Sequence, residues 1–598
     1  PTPSSIPLVP SRLLPSGSTP MPVTPQKWLF KQSIDYSISL NYSVLDFASR
    51  NSDQLLYNMY RMGRNSIERG SKDFWTLSPK RIAEINRLQQ AEQQRNGNTA
   101  RGGQSGGFGG NNVPLRFYDS AFKNPDTRDP RGFIISADQP DFPTAVKFLN
   151  ALIRTGVLVQ KATAAFTVNG KSYPAGSYVV KTDQAFRPHV MDMFEPQDHP
   201  NDFQYPGGPP IPPYDAAGWT LAYTMGIQFD RVLDAFDGPF QRVPYGEVQS
   251  AVAHMPSGGA GYVLNAQSNS SYVTANDLLK EGADVFRVTE AVPGNSIGSF
   301  FVPATAKSKA IITKNNTELG LQVSTVAKRP ASMQKIAPAR IALWDVYGGS
   351  MPSGWVRFIM EQYHYPIDVV YAKDIDTGNL RSKYDVIIFV DGAIPPVPGA
   401  GNQRGFGFGG QNNNTVDIPE EFRGRIGRLS ADKSIPELRK FIEDGGKVIT
   451  IGSSTNLAYH LNLPVNNALL ELVDGQPRRL PNEKYYIPGS VLRVNIDSTD
   501  AAAWGMNTEA DVYFDASPVF NIAPEANSKG IVKPIAWFST DKPLRSGWAW
   551  GQSYLKDGVT AFVARLGKGK LYAFGPEITF RAQTHGTFKL LFNQLYEE

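Results

Sequence analysis

Cysteine is absent from all 598 residues, and the six histidines never gather into a metal-binding spacing. Disulfides, thiolate zinc sites and cysteine nucleophiles are therefore excluded. What chemistry remains is concentrated in three places. The loop carrying Asp192, Glu195, Asp198, His199 and Asp202 offers the oxygen donors that calcium or another hard cation takes. Its spacing fits no ordered ligand loop, and a solvated loop with side-chain-to-backbone hydrogen bonds is the competing reading. Ser453 stands in the turn Ile451-Gly452-Ser453-Ser454-Thr455. With His460 or His585 as base it could form an unconventional hydrolase pair. It could equally cap a helix, or the turn could offer its N–H groups to an anion. Trp344, Tyr347 and Trp355 form the third group, either a ligand shelf at the carboxyl edge of a sheet or ordinary aromatic packing.

Several elements must position these groups. The segment 1–25 is rich in Pro, Ser and Thr and reads as an extended linker or strap. Residues 26–95 are helical, with Ile34, Ile38, Tyr42 and Leu45 on one stripe. A break near Asn51 to Asp53 separates these from Leu55, Leu56, Met59, Tyr60 and Met62, and Ser78-Pro79 opens a further helix to about Gln94. Residues 96–115 are a Gly/Asn/Gln tract and read as a flexible surface loop. Its single Arg-Gly-Gly and the small net charge of +5 do not make a nucleic-acid footprint.

Residues 116–241 read as an α/β module. Its expected strands are Gly132 to Ser136 and Val157 to Gln160, with a helix over Phe142 to Thr155 between them. Ala165 to Val168 and Ser177 to Lys181 are expected to form a hairpin around Asn169-Gly170, and Ala216 to Met225 a helix. Residues 242–335 read as mainly β, with one helix at Ala275 to Lys280. From Arg340 apolar strands alternate with amphipathic helices, ending in the strand Lys447 to Ile451. That alternation predicts a doubly wound parallel sheet over 336–598, with a glycine-rich insertion at 399–415. The expected class is thus a multidomain α/β protein: N-terminal helices, a middle mixed α/β region and a C-terminal flavodoxin-like domain. No apolar run approaches the roughly 18 residues that span a bilayer.

Three stretches are distinctive: Tyr57-Asn58-Met59-Tyr60-Arg61-Met62-Gly63-Arg64-Asn65-Ser66-Ile67-Glu68-Arg69-Gly70, Tyr173-Pro174-Ala175-Gly176-Ser177-Tyr178-Val179-Val180 and Met193-Phe194-Glu195-Pro196-Gln197-Asp198-His199-Pro200. Together they resemble the C-terminal halves of large bacterial secreted proteins of the zinc carboxypeptidase (carboxypeptidase A-like) family, from about Lys27 to the end. That family needs a His-x-x-Glu pair, a distant His and a catalytic Glu, and none can be assigned here. His189 and Asp192 give only His-x-x-Asp, in a segment unlike the metal motif. The resemblance implies that residues 25–75 are the closing helices of a peptidase domain whose zinc and active site lie elsewhere, in cis or on a separate chain. Residues 336–598 separately resemble the class I glutamine amidotransferase-like fold. There Ser453 stands where the nucleophilic Cys would be, and Gly575-Pro576-Glu577 stands where a His-Pro-Glu run would be. A Ser without its imidazole is a poor nucleophile, so the resemblance implies a dead site with Glu577 as a hydrogen-bonded structural carboxylate.

The expectation is a non-catalytic C-terminal region of a secreted or periplasmic zinc metallocarboxypeptidase-like protein, holding no cofactor of its own. It would scaffold the catalytic domain or bind a peptide, protein or glycan partner, and could form homo-oligomers. An autonomous extracellular binding or assembly protein is the alternative, and a Ser453-dependent hydrolase the third.

Overall fold

The computed structural model describes residues 4–5, 20–21, 27–95, 114–251, 253–290, 292–397 and 418–597. The glycine-rich tract 399–415 lies wholly outside these residues, and most of 1–25 and 96–115 does too. Helices α1 (Phe30–Arg50) and α2 (Ser52–Gly70) meet at Asn51, and α3 (Pro79–Arg95) starts on a proline, whose missing N–H costs nothing in a first turn. A buried ion pair ties the connector after α2 to the next module. Arg187 donates to Asp129 at 2.7 Å, and Asp129 also accepts from the Thr76 hydroxyl at 2.6 Å and its N–H at 3.1 Å.

The first module holds β1 (Gly132–Ile135), α4 (Phe142–Arg154), β2 (Gln160–Ala162), β3 (Tyr178–Lys181), β4 (Asp230–Val232) and β5 (Phe240–Arg242), in the antiparallel order β4-β1-β3-β2-β5. Helix α4 packs Ala145, Val146, Phe148, Leu149, Leu152 and Ile153 against one face of this sheet. The second module holds β6 (Gly261–Leu264), α5 (Ser270–Lys280), β7 (Phe286–Val288), β8 (Phe300–Pro303), α6 (Ala306–Leu319), β9 (Val323–Val326) and β10 (Met333–Lys335), in the antiparallel order β9-β6-β8-β7-β10.

The two modules are one unit repeated. Gly132 to Ile135 pair with Lys181 to Tyr178 as Gly261 to Leu264 pair with Pro303 to Phe300. Gly176-Ser177 and Gly298-Ser299 make the same turn before β3 and β8. Each glycine has a positive φ, 85° and 82°, and each serine hydroxyl accepts from the N–H after the first strand's end, Ala137 or Ala266, at 3.1 Å. Helix ends match as well: Val157 donates to the Leu152 carbonyl at 3.0 Å and Ala283 to that of Leu278 at 2.9 Å. In the second repeat α6 is continuous. In the first, Arg187–Phe194 and Leu221–Thr224 occupy that place and the acid-rich loop separates them.

Three expectations change here. The Asn169-Gly170 turn does close a hairpin, but between Phe166–Val168 and Lys171–Tyr173. Both turn residues have positive φ, 51° and 77°, which suits a two-residue turn and pairs Val168 directly with Lys171. Tyr178–Lys181 instead enters the main sheet, where its buried side chains belong. Residues 242–335 carry a second helix, α6, and only Leu221–Thr224 of 216–225 is helical.

The C-terminal domain is built on β11 (Ile341–Trp344), α7 (Met351–Gln362), β12 (Ile367–Val370), β13 (Val386–Phe389), β14 (Lys447–Ile451), β15 (Ser490–Ile496), β16 (Glu509–Phe514), β17 (Val532–Trp537), β18 (Val559–Leu566) and β19 (Gly569–Phe574). Strands β12-β11-β13-β14-β19 are parallel, the flavodoxin-like order, and β18-β17-β15-β16 extend the sheet antiparallel. The inner parallel strands β11 and β13 read as continuous apolar runs because helices cover both faces, and both are buried at every position. No helix among the described residues is long and apolar enough to cross a membrane.

Candidate ligand-binding cavity

In a doubly wound sheet the open crevice lies at the carboxyl ends of the strands, where strand order reverses. Here the reversal falls between β11 and β13, and a cavity of about 210 Å³ opens there. Asp391 follows β13, Gly452 and Ser453 follow β14, Glu577 follows β19, and Met351 and Trp355 stand on α7. Asp515 and Ala516 enter from the end of β16, Phe580 and Arg581 from beyond β19, and Asp215 from the loop inserted in the first module.

The inserted loop is strapped to the C-terminal domain by main-chain bonds. Ala217 donates to the Gly489 carbonyl at 2.7 Å, and Gly547 donates to that of Gln197 at 2.8 Å. Trp548 Nε1 donates to Asn201 Oδ1 at 2.9 Å. Its acidic residues do not converge. Asp192 accepts from Gln197 at 2.9 Å, Glu195 pairs with Arg231 at 2.9 Å, and Asp198 pairs with Lys80 and accepts from Ser78. His199 donates from Nδ1 to its neighbour's carbonyl, Pro200 O, and stacks on Trp548, while the Asp202 carbonyl accepts from Ile211. Among the described residues no group of three or more His, Cys, Asp or Glu is placed to hold a metal ion.

The Ser453 turn is consumed by its own scaffold. The Ser453 N–H donates to Asp391 Oδ1 at 2.7 Å, and its hydroxyl accepts from the Gly392 N–H at 2.9 Å. Ser454 binds the same strand end, accepting from Ala393 at 3.1 Å and Ile394 at 3.2 Å. An internal carboxylate thus occupies the N–H that an anion would use. Neither histidine is brought to Ser453. His460 meets the Pro395 carbonyl at 2.9 Å through Nε2. His585 is enclosed near Phe588, outside the cavity lining, with no partner for Nδ1; burial, then Lys147 and Lys589, push its pKa down to about 3. Of the aromatic group only Trp355 reaches the cavity. Trp344 is buried within β11, and Tyr347 packs against Phe422.

Glu577 does not match the hydrogen-bonded carboxylate that the sequence suggests. Its N–H donates to the Tyr513 carbonyl at 3.1 Å, yet no hydrogen bond among the described residues reaches its carboxylate. Protein surrounds the side chain, and the surface it keeps faces the cavity. Burial, then repulsion from Asp391 and Asp515, pushes its pKa well above the ordinary value. Asp515 is pushed up to about 6, chiefly by burial, although the Gly489 N–H at 3.2 Å pulls the other way. Gly452, at φ 61°, lets both chains approach: a Cβ there would lie 2.6 Å from Asp391 Oδ1 and 2.7 Å from Glu577 Oε1.

Sequence reasoning reached Ser453, Glu577 and Trp355 but not Asp215, Asp391, Asp515 or Arg581. A usable signal was present for two of them, since Asp391 and Asp515 each directly follow an apolar strand run, Val386 to Val390 and Val512 to Phe514.

No family model matches the chain, and no curated protein matches it. Solved structures similar to it include a ThuA-like protein of Bacteroides uniformis, at 9% identity and a TM-score of 0.25, over 45% of this chain and 94% of that one. A protein described as a component of GMP synthase, from Thermoplasma acidophilum, aligns at 10% identity and a TM-score of 0.24, over 43% of this chain and 94% of that one. A β-galactosidase of Bacillus circulans sp. alkalophilus aligns at 12% identity and a TM-score of 0.23, over 42% of this chain; less than a third of the enzyme, 30%, is spanned. Scores this low carry no argument, and the fold assignment stands on the strand order.

Proposed function

We propose that this chain is the non-catalytic C-terminal region of a secreted zinc metallocarboxypeptidase-like protein, acting as scaffold and as a partner- or substrate-binding part. Zinc-dependent peptide hydrolysis would belong to a catalytic domain, in cis or on a separate chain. The observation that carries this reading is the apolar surface of the first two helices. Helix α1 buries none of its residues, and Phe30, Leu40, Tyr42, Val44, Leu45 and Phe47 are each more than half exposed. On α2, Leu56, Met59, Tyr60 and Met62 are equally bare. So many bare apolar side chains on two helices mark an interface rather than a water-facing wall. The resemblance of residues 57–70 to the end of a peptidase domain supplies the identity of the covering partner.

The test is a preparation of the natural protein, measured for intact mass, zinc content and release of C-terminal residues from peptides. Zinc and activity are expected only where the mass exceeds that of this chain, or where a second chain co-purifies. Leu40→Lys with Leu45→Lys should release the partner. A zinc-free assembly of this chain alone, dispersed by the same pair of substitutions, would instead make it an autonomous assembly protein. Hydrolytic activity lost on Ser453→Ala would replace both readings with a serine hydrolase.

A further inference from the structure

We propose that the cavity at the carboxyl edge of the parallel sheet binds the ammonium group of an alkylamine, with Asp391, Asp515 and Glu577 receiving the charge and Trp355 and Met351 receiving the alkyl chain. The charge balance of the lining points there first. Four carboxylates, Asp215, Asp391, Asp515 and Glu577, line the cavity, and Arg581 is the one cation among the described residues lining it. Arg581 is spent on Asp215, to which it donates at 2.6 Å, and its guanidinium lies over the rings of Trp219 and Phe580. Three carboxylates therefore share an enclosed space without a counter-ion.

Their unspent hydrogen-bonding capacity points the same way. An ionised carboxylate offers about four lone-pair sites. Asp391 uses one on the Ser453 N–H and Asp515 one on the Gly489 N–H, while Glu577 uses none among the described residues. The oxygens of Asp391 and Glu577 converge over the bare Cα of Gly452, so closely that a Cβ there would lie 2.6 and 2.7 Å from them. Apolar lining completes the site: Trp355, 37% exposed at the mouth, and Met351 from α7, with Tyr513 and Phe580 stacked at 3.6 Å opposite. A cation beside aromatic rings gains further from their electron-rich faces.

These features select an ammonium over other ligands. Its N–H donors can be shared between Asp391 and Glu577, whose oxygens meet at Gly452, with the Asp515 charge beside them, whereas a planar guanidinium forks onto one carboxylate. A sugar would leave the charges uncompensated, and the carboxylates are not placed to ligate a metal. The titrating groups follow. Burial keeps the Tyr513 phenol neutral, so Asp515 and Glu577 hold the variable protons, faced by Asp391, Asp215 and Arg581. A bound cation favours their ionised forms, so binding should release protons and strengthen as pH rises through about 6. Amine binding is independent of the helix docking proposed above, and either can fail without the other.

The experiment is calorimetric titration of the full chain with n-butylammonium and with Nα-acetyl-lysinamide, against n-butanol and butyrate. At pH ~8 the amines should bind and the controls should not, and at pH ~5 amine affinity should fall about tenfold. Heat from butylammonium alone would assign a free amine, and heat from acetyl-lysinamide would extend the site to a peptide lysine. Glu577→Gln should weaken binding about tenfold without lowering the melting temperature. Trp355→Ala, at the mouth and harmless to the core, should weaken it severalfold and serves if Glu577→Gln fails to fold. No binding of either amine at pH ~8, equal binding of n-butanol, or affinity untouched by both substitutions would overturn the proposal.

Discussion

Replacing Asp515 by Asn should stabilise this protein at neutral pH, against the usual result of removing a buried polar group. The cavity pushes the Asp515 carboxyl from 3.8 to about 6, mainly by burial and then by Asp391 and Asp215. A tenfold change in proton affinity corresponds to ~1.4 kcal/mol, so holding the ionised form costs the fold about 3 kcal/mol above pH ~6. Because the native state keeps the proton longer than the unfolded chain, Asp515 favours the fold most fully below about pH 4. That contribution disappears as pH rises through 6. Asn keeps the Oδ1 that accepts from Gly489 and the shape of the side chain, but removes the charge. It also relieves Glu577, whose pKa is raised partly by Asp515. The measurement is denaturant unfolding of the wild type and the variant across pH, followed by tryptophan fluorescence. Asp515→Asn should gain up to about 3 kcal/mol at pH ~8 and nothing at pH ~4. A loss of stability at pH ~8, or a gain independent of pH, would refute the account of the cavity as an uncompensated acid cluster.

Two further substitutions test other parts of the structure. Arg187→Met should destabilise the first module by about 3–5 kcal/mol, because it leaves Asp129 buried without its counter-ion; a loss below ~1 kcal/mol in denaturant unfolding would show that water replaces the pair. Ser453→Cys should create no glutaminase activity in an ammonia-release assay, since the hydroxyl position is engaged by Gly392 and neither candidate base, His460 or His585, is brought to it. Turnover restored by this one change would mean that a base reaches the turn after all.

How much of this was legible depended on whether a side chain's fate was decided locally. Strands β11, β13 and β14 are largely apolar runs bounded by turn residues, and β14 falls at Lys447–Ile451 as the sequence suggests. Helix α6 is different. It buries Ile312 beside Asn315 and Asn316, which stay satisfied by donating to Asp277 at 2.8 Å and to the Leu321 carbonyl at 2.7 Å. A polar buried face leaves no apolar stripe to read, although Thr305 capping Ser308 and Gly320 ending the helix were available as signals. The repeat was hidden for a related reason: the two units share a hydrogen-bonding plan around Gly176-Ser177 and Gly298-Ser299 more than they share residues. The cavity was half visible. Ser453, Glu577 and Trp355 stand near a recognisable strand-to-turn junction, while Asp215 reaches it from the first module.

That long reach explains why the first repeat departs from the second. An uninterrupted helix such as α6 satisfies its own backbone and offers a neighbour only side chains. The second repeat meets the last domain through side chains of α5 and β7, with Tyr272 and Arg287 donating to Asn593 at 2.9 and 2.6 Å and Asn276 donating to the Tyr363 carbonyl at 2.8 Å. Breaking the equivalent helix in the first repeat frees main chain between Phe194 and Leu221, and that main chain pairs directly with Gly489 and Gly547. The close approach requires glycine at Gly218, where a Cβ would come within 2.2 Å of the Gly547 nitrogen. The same segment delivers Asp215 to Arg581 and so neutralises the cavity's one cation among its described lining. The insertion therefore does two things at once: it locks the first repeat onto the doubly wound domain, and it sets the net charge of the cavity. Ligand affinity and the docking of the first module are coupled through the Asp215–Arg581 pair, because loosening that contact would free a guanidinium to answer the unpaired carboxylates in place of a ligand.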